Sequence, residues 1–310
     1  MHTETLEAIK RSAAIPSMPM IATRCYEMTS DPNCNYDRLV ELLSTDPGMA
    51  ADILRLSNSP LFGVLRQVAS LKQAITLLGV KRLRDLVLSR YLVQKLDQIK
   101  SDSVDINYYW RRSLASGILA SKFADTLAPK QRDEAFMAGL LADVGVVILA
   151  RAVPQQYGPI AAHYRQLDDF DWMAAEKRTL DVTHGEVSGM VLEQWNLPRT
   201  LVSAVRLHHV RPSEIPEDTV GANLVPIIGG AGSIAKYLCE AGDPEKAAQQ
   251  CVAAMEQVEL SVSVLAGALS GIEKDIEGMA KMLGVDVINS KVFAAIGTQL
   301  AQHLATPATA

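Results

Sequence analysis

Three histidines and one aspartate carry most of the chemistry this sequence could do. Histidine is scarce, six in 310 residues. His184 opens the run THGEVSGMVLEQWNLP, and His208-His209 end the run LVSAVRLHHV. Asp143 sits within FMAGLLADVGVVILA, where an ionised carboxylate is costly unless it is paired. Imidazoles and a carboxylate brought from separate helices are the usual materials of a metal centre in a helical bundle. The same residue types also cap helix carbonyls or satisfy a core hydrogen bond. Spacing alone leaves both uses open. Glu176 and Glu186 lie close enough in sequence to His184 to orient its imidazole from behind. A glutamate in a first helical turn, as Glu186 would be, also simply suits the helix dipole.

Helices must position these residues. Apolar residues recur at helical spacing almost everywhere, and no alternating strand pattern stands out. The expected fold class is all-α. Asp46-Pro47 reads as a helix start, since Asp caps free amides and Pro suits the first turn. Ser70 is placed to cap a helix carrying Leu71, Ala74, Ile75 and Leu78, which Gly79 ends. Other helices are expected over 5–11, 20–29, 36–44, 82–98, 108–126, 132–152, 155–166, 172–180, 185–195 and 199–209. Asp143 then lies inside a helix and His208-His209 end one. Three more helices fill the tail, with Gly284 between the last two. The polar stretch 100–105, KSDSVD, is the best internal boundary, and 210–218 with its two prolines is a second linker. No fixed period repeats, which excludes a regular solenoid.

Composition narrows the function classes. Hydrophobic residues make up 48% and charged residues 21%, which excludes disorder and low-complexity architecture. The formal net charge is -5, so no general grip on nucleic acid or an anionic membrane is expected. Two helices joined at Gly79 have the look of a helix-turn-helix, with Lys81, Arg82 and Arg84 at the second start. Leu83, Leu86, Val87 and Leu88 instead make that helix a buried one, and sustained phosphate neutralisation needs more cations. The four cysteines form no CxxC pair and read as single thiols of a reducing cytosol. The N-terminus lacks an apolar signal core, and no apolar run reaches the ~20 residues that span a bilayer. A cytoplasmic location is expected. The run GGAGS at 229–233 follows no strand, so it does not fit a dinucleotide fingerprint, and no GxSxG elbow occurs.

Five blocks now come together in order: DPGMAADILRLSNSPLFG, SLKQAITLLGVKRLRDLVLS, FMAGLLADVG, HGEVSGMVLEQWNLP and HH. Over about residues 15–209 the chain resembles the HDOD family, the noncatalytic-looking relatives of the HD-domain metal phosphohydrolases. That resemblance implies an all-helical fold and a role in bacterial signal transduction. It divides the chain into an N-terminal helical subdomain at 1–100, an HD-like core at 104–212, and a C-terminal extension at 213–310 that packs on the core. Trp195 and Pro198 match the family's WxLP pattern and serve packing.

The departures from an active HD site are as informative. The His-Asp pair of the catalytic relatives falls on Ala142-Asp143, the early His on Arg112, and the late Asp on Gly232. Asp143, His184, His208 and His209 remain. Alanine and glycine bind no metal, and arginine stays protonated. A two-metal centre needs bridging carboxylates and several imidazoles. The resemblance therefore implies a degenerate site with no metal or other cofactor, in a non-catalytic module that binds signalling proteins or a small-molecule ligand. The alternative is a metal-dependent phosphohydrolase that uses the four surviving donors. Arg112 could also set its guanidinium where a metal would sit and pair with Asp143, or it could snorkel to solvent beside Arg111.

Overall fold

The computed structural model describes residues 6–7, 9–10, 15–58, 67–97, 103–166, 170–240, 243–269, 272–283 and 298. The protein is all-α, as the periodicity requires, with no strand among the described residues. By contact clustering the chain forms two compact units. One holds Pro16–Gln98 with Lys274–Val287; the other holds Met1–Ile15, Ile99–Glu273 and Ile288–Ala310. Residues 213–269 thus belong to the same unit as 104–212.

The smaller unit contains α1 (Met20–Ser30), α2 (Tyr36–Ser44), α3 (Pro47–Ser57), α4 (Leu71–Leu78) and α5 (Val80–Asp97). Its helix starts are written in side chains. Asn35 accepts from the amides of Asp37 and Arg38, Asp46 from Met49, and Ser70 from Gln73. Gly79 ends α4 at φ 78°, where a side chain would be strained. Asp46 also accepts from the Tyr91 hydroxyl at 2.6 Å, tying the start of α3 to α5. Leu83, Leu86, Val87 and Leu88 of α5 are buried. Buried Asp52 is paired by Arg90 and Arg55, each at 2.8 Å.

The larger unit is built on α6 (Ile106–Leu127), whose tyrosines, tryptophan and aliphatic residues are mostly buried. Around it lie α7 (Arg132–Leu141), α8 (Val144–Ala152), α9 (Pro154–Ala161), α10 (Trp172–Leu180), α11 (His184–Gln194), α12 (Arg199–Arg206) and α13 (Leu224–Glu240). Helices α7 and α13 pack against α6, and α11 packs against both α8 and α12. Further along the chain run α14 (Pro244–Gln257), α15 (Val262–Leu269) and α16 (Ile272–Leu283), whose residues from Lys274 on belong to the smaller unit.

Four expectations are corrected here. The helix expected over 132–152 is two helices, broken at Ala142-Asp143. A run apolar on every side shows no periodicity break, so the sequence concealed the turn. Tertiary contacts hold it: the Ser188 hydroxyl accepts from the Gly145 amide at 2.8 Å, and a Cβ on Gly145 would collide with the His184 carbonyl. Next, α9 ends at Ala161 and α12 at Arg206, so His208-His209 follow the helix rather than end it. Finally, Pro129–Ala152 is long and apolar enough to cross a membrane by length and composition, which the sequence reading missed. Of its most apolar window, 89% is buried within the protein. The tail helices number four through Leu283 rather than three; Gly284, residues 5, 8 and 11 of the first expected helix, and 100–102 lie outside the described residues.

Candidate functional site

Asp143 occupies the turn between α7 and α8, with backbone angles outside the helix. Its carboxylate therefore leaves the apolar helix stack and meets side chains from elsewhere. His184 is the first residue of α11. Thr183 caps that helix in a capping box: its hydroxyl accepts from the Glu186 amide, and its own amide donates to Glu186 Oε2 at 2.7 Å. Glu186 also pairs with Lys177 at 2.9 Å. Its role is to start the helix that presents His184.

Glu176 orients the imidazole. Fully buried on α10, it accepts from the His184 amide at 2.8 Å and lies 3.0 Å from His184 Nδ1. The Tyr157 hydroxyl donates to it at 2.7 Å. Nδ1 is thereby the protonated nitrogen facing Glu176, and Nε2 is turned to Asp143 Oδ1, 3.6 Å away, and to His209 Nε2 at 2.9 Å. His208 donates from Nδ1 to the Val205 carbonyl at 2.6 Å and brings Nε2 to 3.3 Å from Asp143 Oδ1. Asp143, His184, His208 and His209 each offer one ligand atom, and these atoms lie within 4.8 Å of one another.

The opposite side of Asp143 is taken by Arg112 and Tyr164. Arg112 Nη2 stands 3.4 Å from Asp143 Oδ2, and the Tyr164 hydroxyl donates to the same oxygen at 3.0 Å. The guanidinium lies 4.5 Å from the Tyr164 ring centroid. Arg112 thus turns inward to the aspartate. Burial would raise the Asp143 pKa, but Arg112 and the two imidazoles outweigh it and hold the carboxyl well below its usual value. At His184 burial favours the neutral ring, yet Glu176 and Asp143 prevail and raise its pKa to about 9. His184 is therefore a cation at neutral pH. At His209, desolvation of its inward edge and the adjacent His208 and His184 push the pKa well below the usual histidine value. A neutral His209 Nε2 accepts the proton that His184 offers.

These side chains line a cavity of about 610 Å³. Its outer walls include Phe170, Trp172, Arg211, Lys236 and Tyr237. Of the residues singled out by the sequence, the fold gathers Arg112, Asp143, His184, His208 and His209. It does not gather Ala142 or Gly232 into the cavity lining. Ala142 is buried beside Asp143 and offers only a methyl group. A Cβ on Gly232 would approach the Ser116 hydroxyl on α6; Gly229, Ser233, Lys236 and Tyr237 are the α13 residues that line the cavity. Tyr157, Tyr164 and Trp172 were missed. Nothing in their sequence spacing marks them, since each reaches the cluster through a tertiary packing of α9, the turn after it, or α10.

Three imidazole nitrogens and one carboxylate oxygen would suit a single transition-metal ion. They do not fit a bridged pair. Asp143 is the one carboxylate among the clustered ligand groups, and a guanidinium already faces its second oxygen.

The HDOD domain family model matches residues 15–211. The fold is shared with an HDOD domain protein of unknown function from Geobacter sulfurreducens, at a TM-score of 0.66 and 20% identity, covering 97% of this chain and 95% of that one. It is shared equally with a provisionally named phosphohydrolase from Shewanella amazonensis SB2B, at a TM-score of 0.66 and 22% identity, covering 94% and 99%. A provisionally named signal transduction protein from Marinobacter aquaeolei VT8 aligns at 0.61 and 19% identity, covering 97% of this chain and 66% of that one. An uncharacterized protein of Treponema pallidum is 25% identical over 209 residues, which are 66% of this chain but 39% of that relative.

Proposed function

Since this chain belongs to the HDOD domain family, we propose that it acts in bacterial signal transduction as a non-catalytic module whose pocket receives a small-molecule ligand. The observation that carries this reading is Arg112 on Asp143. A fixed side-chain cation compensates the buried carboxylate, the task a metal would perform in a hydrolytic centre, and it cannot activate water as a metal does. The inner network balances two cations, Arg112 and His184, against two carboxylates, Asp143 and Glu176. The fold needs no ion to close it. We place the protein in the cytoplasm, with signalling proteins as the recipients of the bound state and with neither nucleic acid nor membrane as a partner.

A second reading has one observation in its favour, the four ligand atoms within 4.8 Å. It makes the chain a metal-dependent phosphohydrolase with Asp143, His184, His208 and His209 as ligands. Elemental analysis of untagged protein, with a bis-(p-nitrophenyl) phosphate assay in added Mn²⁺, separates the two. The non-catalytic reading expects substoichiometric metal and no hydrolysis above the metal-only control. Stoichiometric iron, manganese or zinc that disappears in Asp143→Ala, together with turnover, would replace it with the hydrolase.

A further inference from the structure

We infer that the pocket takes a phosphate-class oxyanion and that Arg112, not a metal ion, receives it. The inference rests on the reading of this cavity as a ligand site. Its first support is how loosely the guanidinium is held. The Asp143 and Tyr164 carbonyl contacts are both 3.4 Å, whereas a charge-assisted N–H···O bond closes to about 2.7–2.9 Å. Its Nε is buried and has no hydrogen-bond partner. Guanidinium carries five donors in a rigid fork matched to phosphate, and here most of that capacity is unspent. The side chain is only 12% exposed, so bulk water does little to satisfy it, and it lines the cavity.

The second support is His208. Its ring is buried, its Nδ1 is committed to the Val205 carbonyl, and its Nε2, 3.3 Å from Asp143 Oδ1, closes no hydrogen bond of good geometry. His208 is among the residues that line the cavity. The third is the charge of the walls. Arg112, Arg211 and Lys236 face two carboxylates, Asp143 and Asp171. Asp171 is occupied as the cap of α10, accepting from the Ala174 amide at 2.9 Å. A chain of net charge -5 therefore concentrates cations at its one described histidine-lined cavity. Such a local inversion attracts an anion to a site that the rest of the surface repels. About 610 Å³ leaves room for an organic group on that anion, and Trp172 and Tyr237 supply flat walls for a ring.

Phenyl phosphate is the probe, with inorganic phosphate and phenol as its two halves, titrated calorimetrically into EDTA-treated full chain at low salt. Phenyl phosphate should bind without divalent metal, and inorganic phosphate more weakly. The double variant Arg112→Gln with Asp143→Asn removes both charges of the buried pair. It should weaken phenyl phosphate about tenfold or more, the loss of a hydrogen bond to a charged group. In the unmutated protein the Arg112 Nε–H resonance should shift on addition of phenyl phosphate, a readout that needs no variant to fold. Unchanged affinity in the double variant, or an unmoved Arg112 resonance, would overturn the inference. Binding of phenol but not phenyl phosphate would also overturn it and leave the ligand-site reading standing. Binding that vanishes in EDTA and returns with Mn²⁺ would overturn both.

Discussion

A buried charge is stable only in company, and at this site each charge has been given its own. Asp143 faces Arg112, His184, His208 and the Tyr164 hydroxyl. His184 is held between Glu176 and Asp143. The raised pKa of His184 has a definite consequence for stability. A group whose folded pKa is raised contributes fully below its ordinary value, here 6.5, and loses that contribution as pH rises through about 9. Glu176→Gln keeps the shape of the side chain but removes the charge that stabilises the imidazolium. The His184 pKa, followed by NMR of the ring protons, should then fall by on the order of one unit or more. An unmoved titration would mean that Asp143 alone sets the pKa and that Glu176 only shapes the pocket. Glu176 could be suspected from its spacing to His184. Tyr164 could not, because its bond to Asp143 spans 21 residues with no repeating pattern between them.

At the level of the element, helix starts were the most legible feature. Asp46, Ser70 and Gly79 act where the sequence places them, because a cap is a local exchange of hydrogen bonds. The break at Asp143 was hidden for the converse reason. It depends on the bond from the Gly145 amide to Ser188, 43 residues further on, and on the close approach of α8 to His184. The family's spacing pointed to Asp143, which the fold brings beside the histidines, while periodicity assigned it the wrong backbone. Gly232 shows the same limit on α13: one residue of register moves a side chain about 100° around a helix. Capping yields a prediction of its own. The Tyr91 hydroxyl, the Met49 amide and nearby groups lower the pKa of Asp46. A lowered pKa gives stability that is present above the ordinary carboxylate value and is lost as pH falls through the folded one. Asp46→Ala should cost about 1 kcal/mol at pH 7 and less once the pH has fallen below the lowered pKa of the folded carboxylate. Denaturant titrations at pH 7 and below that pKa measure this; an equal cost at both would show that the carboxylate charge plays no part in the cap.

The whole molecule supplies a way to read these effects separately. The three tryptophans, Trp110, Trp172 and Trp195, all fall in the larger unit, while helices fill both. Tryptophan fluorescence therefore follows the unit that holds the pocket, and far-UV circular dichroism follows the entire chain. Arg112→Ala leaves Asp143 buried with its nearest permanent cation gone, a loss of about 3 kcal/mol or more where the pair is desolvated. That loss arises inside the larger unit, so it should lower the fluorescence midpoint at least as far as the dichroism midpoint. Asp46→Ala acts within the other unit and should move the dichroism curve while the tryptophan transition stays within error of wild type. Each substitution thus marks its own unit, and coincident shifts of both probes in both variants would establish that the two units unfold as one cooperative body. The outcome bears on the proposed signalling role. Separate transitions would let a ligand in the pocket stabilise one unit alone, whereas a single transition would carry the stabilisation from an occupied pocket to every helix of the chain.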